Sequence, residues 1–387
     1  MLQDELRPAL YHRFHRLLPF LAHPLTHRLW RVVVWGFWLI YFGFVLLVLA
    51  LRYSILPNIE NYRGDIERIA SQGLGQPVSI GRIEASWAGI NPDLTLFDVR
   101  IADAQGRPAL AFSRVESILS WWSVPSAQLQ LRLLRIDEPT LHLRRDTDGR
   151  ISVAGIPLSQ ERSDGAVADW VLAQKRIRIN GATLVWEDAQ RKAPPLVLED
   201  LNFGLDNNGR SHRFGLTALP PADLASKIDL RGDFRGRDLE QLDSWKGQVF
   251  AEIDYADLAV WRNWIDYPVA LPHGRGAVRA WAGFAGGSLN SINADVSLQD
   301  VSLRLSANLP AIELDHLAGR LGAKFSDTGF EVTGRRIELL TRAVALRKGP
   351  VREAVRIVPT DFHVDWQSAS AGKAAGGNAT ASSLDLN

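Results

Sequence analysis

The run Val32–Leu51, VVVWGFWLIYFGFVLLVLAL, is twenty residues without a single charge. As a helix rising about 1.5 Å per residue it covers roughly 30 Å, the thickness of a bilayer's hydrocarbon core. Arg31 and Arg52 bracket it, and Trp30, Trp35 and Tyr53 stand near its ends, where amphipathic rings favour the headgroup zone. A secretory leader has a shorter apolar core, fewer residues before it and a small-residue cleavage site after it, and this segment fits none of the three. We read 32–51 as a transmembrane helix with Trp30, Arg31, Arg52 and Tyr53 as its interface anchors.

The flanks suggest an orientation. Residues 1–31 carry Arg7, Arg13, Arg16, Arg28 and Arg31 against Asp4 and Glu5, whereas Arg52, Arg63 and Arg68 beyond the span are balanced by Glu60, Asp65 and Glu67. The bias places 1–31 in the cytoplasm as a basic segment and everything after Leu51 outside. His12, His15, His23 and His27 lie in the same segment without a carboxylate cluster, so they decorate the interface rather than hold a metal.

Several function classes drop out on composition. A formal net charge of +1 gives no basic surface for nucleic acid. The absence of cysteine removes disulfides, thiolate metal sites and cysteine nucleophiles. No P-loop, HExxH or G-x-S-x-G pattern occurs, and His142, His212, His273, His316 and His363 are scattered. Gly73-Leu74-Gly75 follows a helix and precedes a strand, the reverse of a dinucleotide loop. The acidic pairs Asp137-Glu138 and Glu199-Asp200 read as solvated strand ends or turns, and Arg144-Arg145 beside Asp146 as a solvated strand end. The expectation is a protein without enzyme activity, cofactor or metal.

After the span, 52–77 reads as a linker and an amphipathic helix over Ile59–Gln72, capped by Asn58 and ended by Gly73, with Ile59, Tyr62, Ile66 and Ile69 on one face. From Val78 the hydrophobic period becomes two. Leu129, Leu131 and Leu133 alternate with polar residues, the phase slips at Leu133-Leu134 as a bulge would make it, and Leu141 and Leu143 follow. Asp148-Gly149, Asn207-Asn208-Gly209 and Asp327-Thr328-Gly329 mark hairpin turns between further alternating runs. Short helices are expected over Ala166–Gln174 and Asp257–Ile265. The period predicts a β-rich domain over 78–366 made of antiparallel sheet with one apolar and one polar face. The Ala-, Gly- and Ser-rich segment 367–387 reads as a disordered tail.

Two stretches carry a family resemblance. "GQPVSIGRIEASWAGINPDLTLFDVRIAD" (75–103) leads to "LQLRLLRIDEPTLHLRRDTDGRISVAGI" (129–156), in which Pro139–Gly149 fits a P-x-L-x-L-x-R-D-x-x-G pattern. "IRINGATLVWEDAQRKAPPLVLEDLNFGLDNNGRSHRFGL" (177–216) follows. Together with the span they resemble the AsmA-like superfamily of Gram-negative bacteria, and most closely the N-terminal portion of its YhdP branch.

The resemblance implies an inner-membrane anchor carrying a periplasmic repeating β-groove, along which phospholipid is guided between inner and outer membranes in support of outer-membrane lipid homeostasis. Its implied partners are phospholipid, the inner-membrane bilayer and envelope proteins, with no nucleic acid. The candidate groove lining is Leu129, Leu131, Leu133, Leu141 and Leu143, with Trp121 and Trp122; taken by itself this tryptophan pair between two strands suits a core anchor better than a groove lining or a contact with a membrane surface. Taken residue by residue, the alternation suits the core of a β-sandwich better than a groove, and only the resemblance tips the reading. The alternative is a membrane-tethered envelope scaffold or assembly factor without lipid cargo, binding partners along its sheet edges.

Overall fold

The computed structural model describes residues 24–382 except 75, 103–107, 127, 154–155, 158–163, 237–242, 267–269, 305–307, 309, 327, 343–354 and 368–375. The chain divides into two compact units, Met1–Tyr62 and Arg63–Asn387.

The described residues of the first unit, 24–62, are helical. α1 (Pro24–Ala50) contains nearly all of the uncharged run, and its Trp35, Phe37, Leu39, Ile40 and Leu46 are exposed. It is long and apolar enough to cross a membrane. Trp30 and Tyr53 are exposed near the two ends of the apolar run. Past Ala50 the winding changes to a π turn, Leu51–Ile55, and then to a 3-10 segment, Leu56–Tyr62. Asn58 does not cap a following helix. Its non-helical backbone kinks the 3-10 segment, and its amide donates back to the Ser54 carbonyl at 2.8 Å.

The second unit opens with α2 (Arg63–Leu74), which starts four residues later than the sequence suggested. Ile66 is half-buried while Ile69 is exposed, so the expected apolar face is incomplete. Polar side chains bind α2 to the sheet. Arg63 donates to the Gly81 carbonyl at 3.0 Å, Glu67 accepts from the Ile80 amide at 2.7 Å, and Ser71 accepts from the Val78 amide at 2.8 Å.

Among the described residues a nineteen-stranded sheet follows. β1 (Val78–Ser79) and β2 (Arg82–Ala88) lie along β3 (Asn91–Ala102), followed by β4 (Pro108–Leu119) and β5 (Leu131–Asp137). A short helix, α3 (Ser123–Ser126), sits in the β4–β5 connection. β6 (Thr140–Arg145), β7 (Ile151–Val153) and β8 (Ile156–Pro157) lead to α4 (Asp164–Ala173) and β9 (Arg176–Asp188). Here the expected antiparallel pattern breaks. β5 and β6 both run parallel to β9, in a single continuous register of 43 residues' offset. A parallel neighbour needs a long crossover, which β7, β8 and α4 provide.

From β9 onward each strand pairs antiparallel with the next. The order is β10 (Leu196–Asn208), β11 (Ser211–Leu219), β12 (Ile228–Arg235), β13 (Lys246–Asp257), β14 (Ala270–Ala285), β15 (Ser288–Arg304), β16 (Ile312–Ser326), β17 (Gly329–Thr341), β18 (Arg356–Gln367) and β19 (Gly376–Ala381). α5 (Leu258–Trp261) is shorter than the predicted helix and is capped by Asp257, whose carboxylate accepts from the Ala259 and Val260 amides. β19 lies inside the segment expected to be disordered. Small residues with little apolar pattern still form a strand when a neighbouring ladder supplies their backbone partners.

One local device recurs along the sheet. Asp98, Glu138, Asp200, Asp300 and Arg336 all have left-handed backbones, with φ between 44° and 52°. Each is followed by a buried residue: Val99, Pro139, Leu201, Val301 or Ile337. At Asp200, Asp300 and Arg336 the ladder register also shifts, the mark of a bulge. The extra residue resets the alternation, so Leu198 and Leu201 reach one cluster together, as do Leu298 and Val301. The acidic pairs 137–138 and 199–200 are these kinks. The bulge expected at Leu133-Leu134 falls instead at Arg132, because Leu133 pairs with Ile118 while Leu131 pairs with Leu119.

Candidate functional site

Residues paired directly across neighbouring strands share a face of the sheet, and successive residues on one strand alternate faces. Following the register across β10 to β19 gives the row Leu205, Phe214, Gly232, Val249, Ala282, Ile292, Ala323, Val332, Val364, Ala379. Every member is apolar. A second row on the same face reads Phe203, Leu216, Leu230, Ala251, Ala280, Ala294, Leu321, Gly334, Phe362, Ala381. One residue along each strand from the first row the chemistry inverts: Asp206, Arg213, Asp233, Gln248, Gly283, Ser291, Lys324, Glu331, Asp365, Asn378. With strands spaced about 4.8 Å apart, the apolar rows extend for roughly 45 Å across the strand direction.

The polar face is neutralised by cross-strand ion pairs, among them Arg213 with Asp233 (3.0 Å), Arg279 with Glu252 (2.6 Å) and Lys324 with Glu331 (3.3 Å). These are solvent-facing pairs, which contribute little stability one by one but suit a wet surface.

The apolar face is neither core nor open surface along most of its length. Two clusters are buried: Ala182, Leu201 and Ala218 at β9–β11, and Leu271, Leu298, Val301 and Leu314 farther on, where Leu258 of α5 packs against them. Between them Val249, Ala251, Ala280, Ala282, Ile292 and Ala294 are half-buried. Aromatic rings lie flat here. A Cβ on Gly232 would fall 2.1 Å from the Phe214 ring, and one on Gly334 the same distance from Phe362, so each ring occupies the space its cross-strand glycine leaves. Folding large rings over glycines keeps the relief of the face low. At one strand end, Phe325, Phe330 and Trp366 form an exposed aromatic margin beside a recess of about 500 Å³ that Lys324, Glu331 and Asp365 also line.

The residues expected to line a groove are divided by the structure. Leu141 and Leu143 lie on the apolar face, paired with Leu184 and Trp186. Leu133 pairs with Ile118 and shares the face of Arg135 and Glu116, opposite to Leu134 and Ile136. Leu131 is buried, and its amide donates to the Gln174 side chain at 2.8 Å. Leu129 precedes β5 and is exposed, while Trp121 and Trp122 lie in the turn after β4 rather than on the sheet. Arg144 pairs with Asp146 at 3.0 Å, and Arg145 with Asp188.

Polar groups that the sequence left unmarked tie the parallel junction. Asp188 is buried and holds Arg145 and the Arg191 amide. Burial works against its carboxylate, but Arg145 and Arg191 outweigh it and keep Asp188 below the usual range. Arg191 reaches on to Asp266. Asn207 caps the end of α4 by donating to the Val171 and Gln174 carbonyls at 3.1 and 2.7 Å, and its oxygen meets His212 Nδ1 at 2.8 Å. His212 stacks on Trp245 and is pushed below its ordinary pKa by burial. Among the described residues, no group of three or more His, Asp or Glu side chains is placed to hold a metal ion.

An apolar helix long enough to span a bilayer, in a chain whose other unit is an extended sheet with one apolar and one charged face, defines a β-sheet protein with a candidate membrane anchor. The model of the YhdP protein family matches residues 24–369, and the chain belongs to that family. No curated protein and no solved structure matches it.

Proposed function

We propose that this protein is anchored in the bacterial inner membrane by α1, with its N-terminus cytoplasmic and its sheet in the periplasm, and that it guides phospholipid between the inner and outer membranes. The acyl chains would lie against the apolar rows while the headgroups stay in water. One observation carries this reading: the two rows remain apolar across ten consecutive strands, one residue away from a charged row. A sandwich core needs such a face to be covered, whereas Val249, Ala280 and Ala294 are only half-buried. At about 25 cal/mol per Å² an uncovered strip of this kind is costly in water, and acyl chains remove that cost. The low relief made by rings folded over glycines suits a chain that slides rather than docks. Guidance of this kind needs no cofactor and no covalent step. Membership of the YhdP family agrees with an envelope lipid-transport role.

The test is site-specific photocrosslinking in intact cells. A photoreactive side chain at Ala280 or Ala294 should form phospholipid adducts, and one at the neighbouring Arg279 or Asp295 should not. Equal adduct yields on the two faces, or none on either, would sink the proposal. A scaffold role is the second reading. It rests on β19, all six residues of which are exposed and which, among the described residues, pairs only with β18. Protein adducts at Asn378 with no lipid adducts at Ala280 would favour it.

A further inference from the structure

The turn after β4 carries a feature that a lipid track does not use. Trp122 and Ile90 are each 71% exposed, and Val124 and Leu129 are also exposed. They come from two turns, β2–β3 and β4–β5, which the Trp121 indole joins by donating to the Ile90 carbonyl at 3.0 Å. Single exposed apolar residues are ordinary on a protein surface, but four large ones on adjoining turns make a patch.

The patch is also free of charge. No acidic or basic residue occurs from Ser117 to Leu131, or from Ala85 to Pro92. Its hydroxyls are occupied internally. Ser120 accepts from the Trp122 amide at 3.3 Å, Ser126 donates to the Trp122 carbonyl at 2.6 Å, and Ser123 both donates to the Gln130 carbonyl and accepts from its amide, each at 3.0 Å. Such a turn can leave water without stranding a buried charge or these hydroxyls, and tryptophan beside aliphatic neighbours is what the headgroup zone of a bilayer favours. The chain itself tethers this unit to a bilayer, since a five-residue π turn and a seven-residue 3-10 segment connect α1 to Arg63, where the sheet unit begins.

The geometry points to a second membrane contact: the Ile90–Trp122–Val124 knob inserts into the interfacial layer of a lipid bilayer. The inference uses the reading of α1 as a membrane span but not the movement of lipid along the sheet, so either can fail alone.

The chain contains no cysteine, so single-cysteine labelling is clean. Full-length Ile90→Cys, Trp122→Cys and Val124→Cys variants would be labelled with bimane and reconstituted into nanodiscs of phosphatidylethanolamine and phosphatidylglycerol. Asp223→Cys, in an exposed turn at the opposite strand end, serves as the reference. Labels at Trp122 and Val124 should be quenched by nitroxide-bearing lipids and be several-fold less accessible to iodide than the label at Asp223. Adding Trp122→Ser and Val124→Ser to the Ile90→Cys chain should abolish lipid quenching there, with circular dichroism unchanged. Iodide access equal to that at Asp223 overturns the inference. So does shielding without nitroxide quenching, which would assign the knob to a protein contact.

Discussion

The sheet from β10 to β19 and the sheet from β1 to β9 are built on different principles. In the later region every strand pairs with its sequence neighbour, and alternation assigns side chains to faces between the bulges at Asp200, Asp300 and Arg336. Its charges are exposed partners across adjacent strands, such as Arg213 and Asp233. In the earlier region β5 and β6 meet β9 across a 43-residue offset, and the ladder is held by specific polar side chains. Gln174 accepts from the Leu131 amide, Asn180 donates to Asp137 at 2.8 Å, and buried Asp188 grips Arg145. A hairpin closes a short loop and needs little beyond turn chemistry. A distant parallel pairing loses more loop entropy and admits more wrong registers, so it is pinned by groups that only one register satisfies.

That contrast can be broken most severely at Asp188. Asp188→Ala leaves Arg145 and Arg191 without their buried partner and should cost roughly 3–5 kcal/mol, whereas Asp233→Ala in the later region should cost less than about 1 kcal/mol. Urea unfolding of the two variants in the same detergent decides it, and similar costs would erase the distinction between the regions. A smaller effect sharpens the two-faced character of the later region. Val249→Asp places a carboxylate in the apolar row and should destabilise by about 3 kcal/mol, while Gln248→Asp, one residue away, should stay within about 0.5 kcal/mol. Equivalent losses would mean that both faces are wet.

The smallest effect is pH-dependent and lies at the border of the two regions. His212 is held neutral by burial, with its pKa below the ordinary 6.5. The unfolded chain therefore binds the proton more readily. The contribution of His212 is complete above about pH 6.5 and is lost as pH falls below it, by at most about 1.4 kcal/mol per pH unit. The difference between wild type and His212→Gln in unfolding free energy, followed from pH 7.5 downward, should narrow; a constant difference would remove His212 from the acid response.

Much of the later region was legible because its code is local. The alternation at Phe214–Leu216, at Ile228 with Leu230, and at Val301–Leu303 needs no knowledge of the partner strand. The turn at Asn207-Asn208-Gly209, between β10 and β11, announces itself by residue type. The candidate lining was legible only in part. Leu141 and Leu143 follow the period to the apolar face, but Leu133 does not, because the bulge at Arg132 comes before it and not after. Trp121-Trp122 reads from the sequence as an aromatic pair between two strands, suited to a core anchor before a groove lining or a membrane surface; that Trp122 is exposed in a turn depends on where β4 ends. The acidic pairs 137–138 and 199–200 resembled solvated ends, yet Glu138 and Asp200 are kinks that return Pro139 and Leu201 to the interior.

By itself the sequence determined a helix able to cross a bilayer and a long sheet with one apolar face, since composition and a period of two are properties of neighbouring residues. Tertiary structure alone decided the parallel join of β5 and β6 to β9, the alignment of alternating strands into unbroken rows, and the union of two turns into one exposed knob. Each of these joins residues far apart in the chain, and their energies arise only when the distant partner is in place.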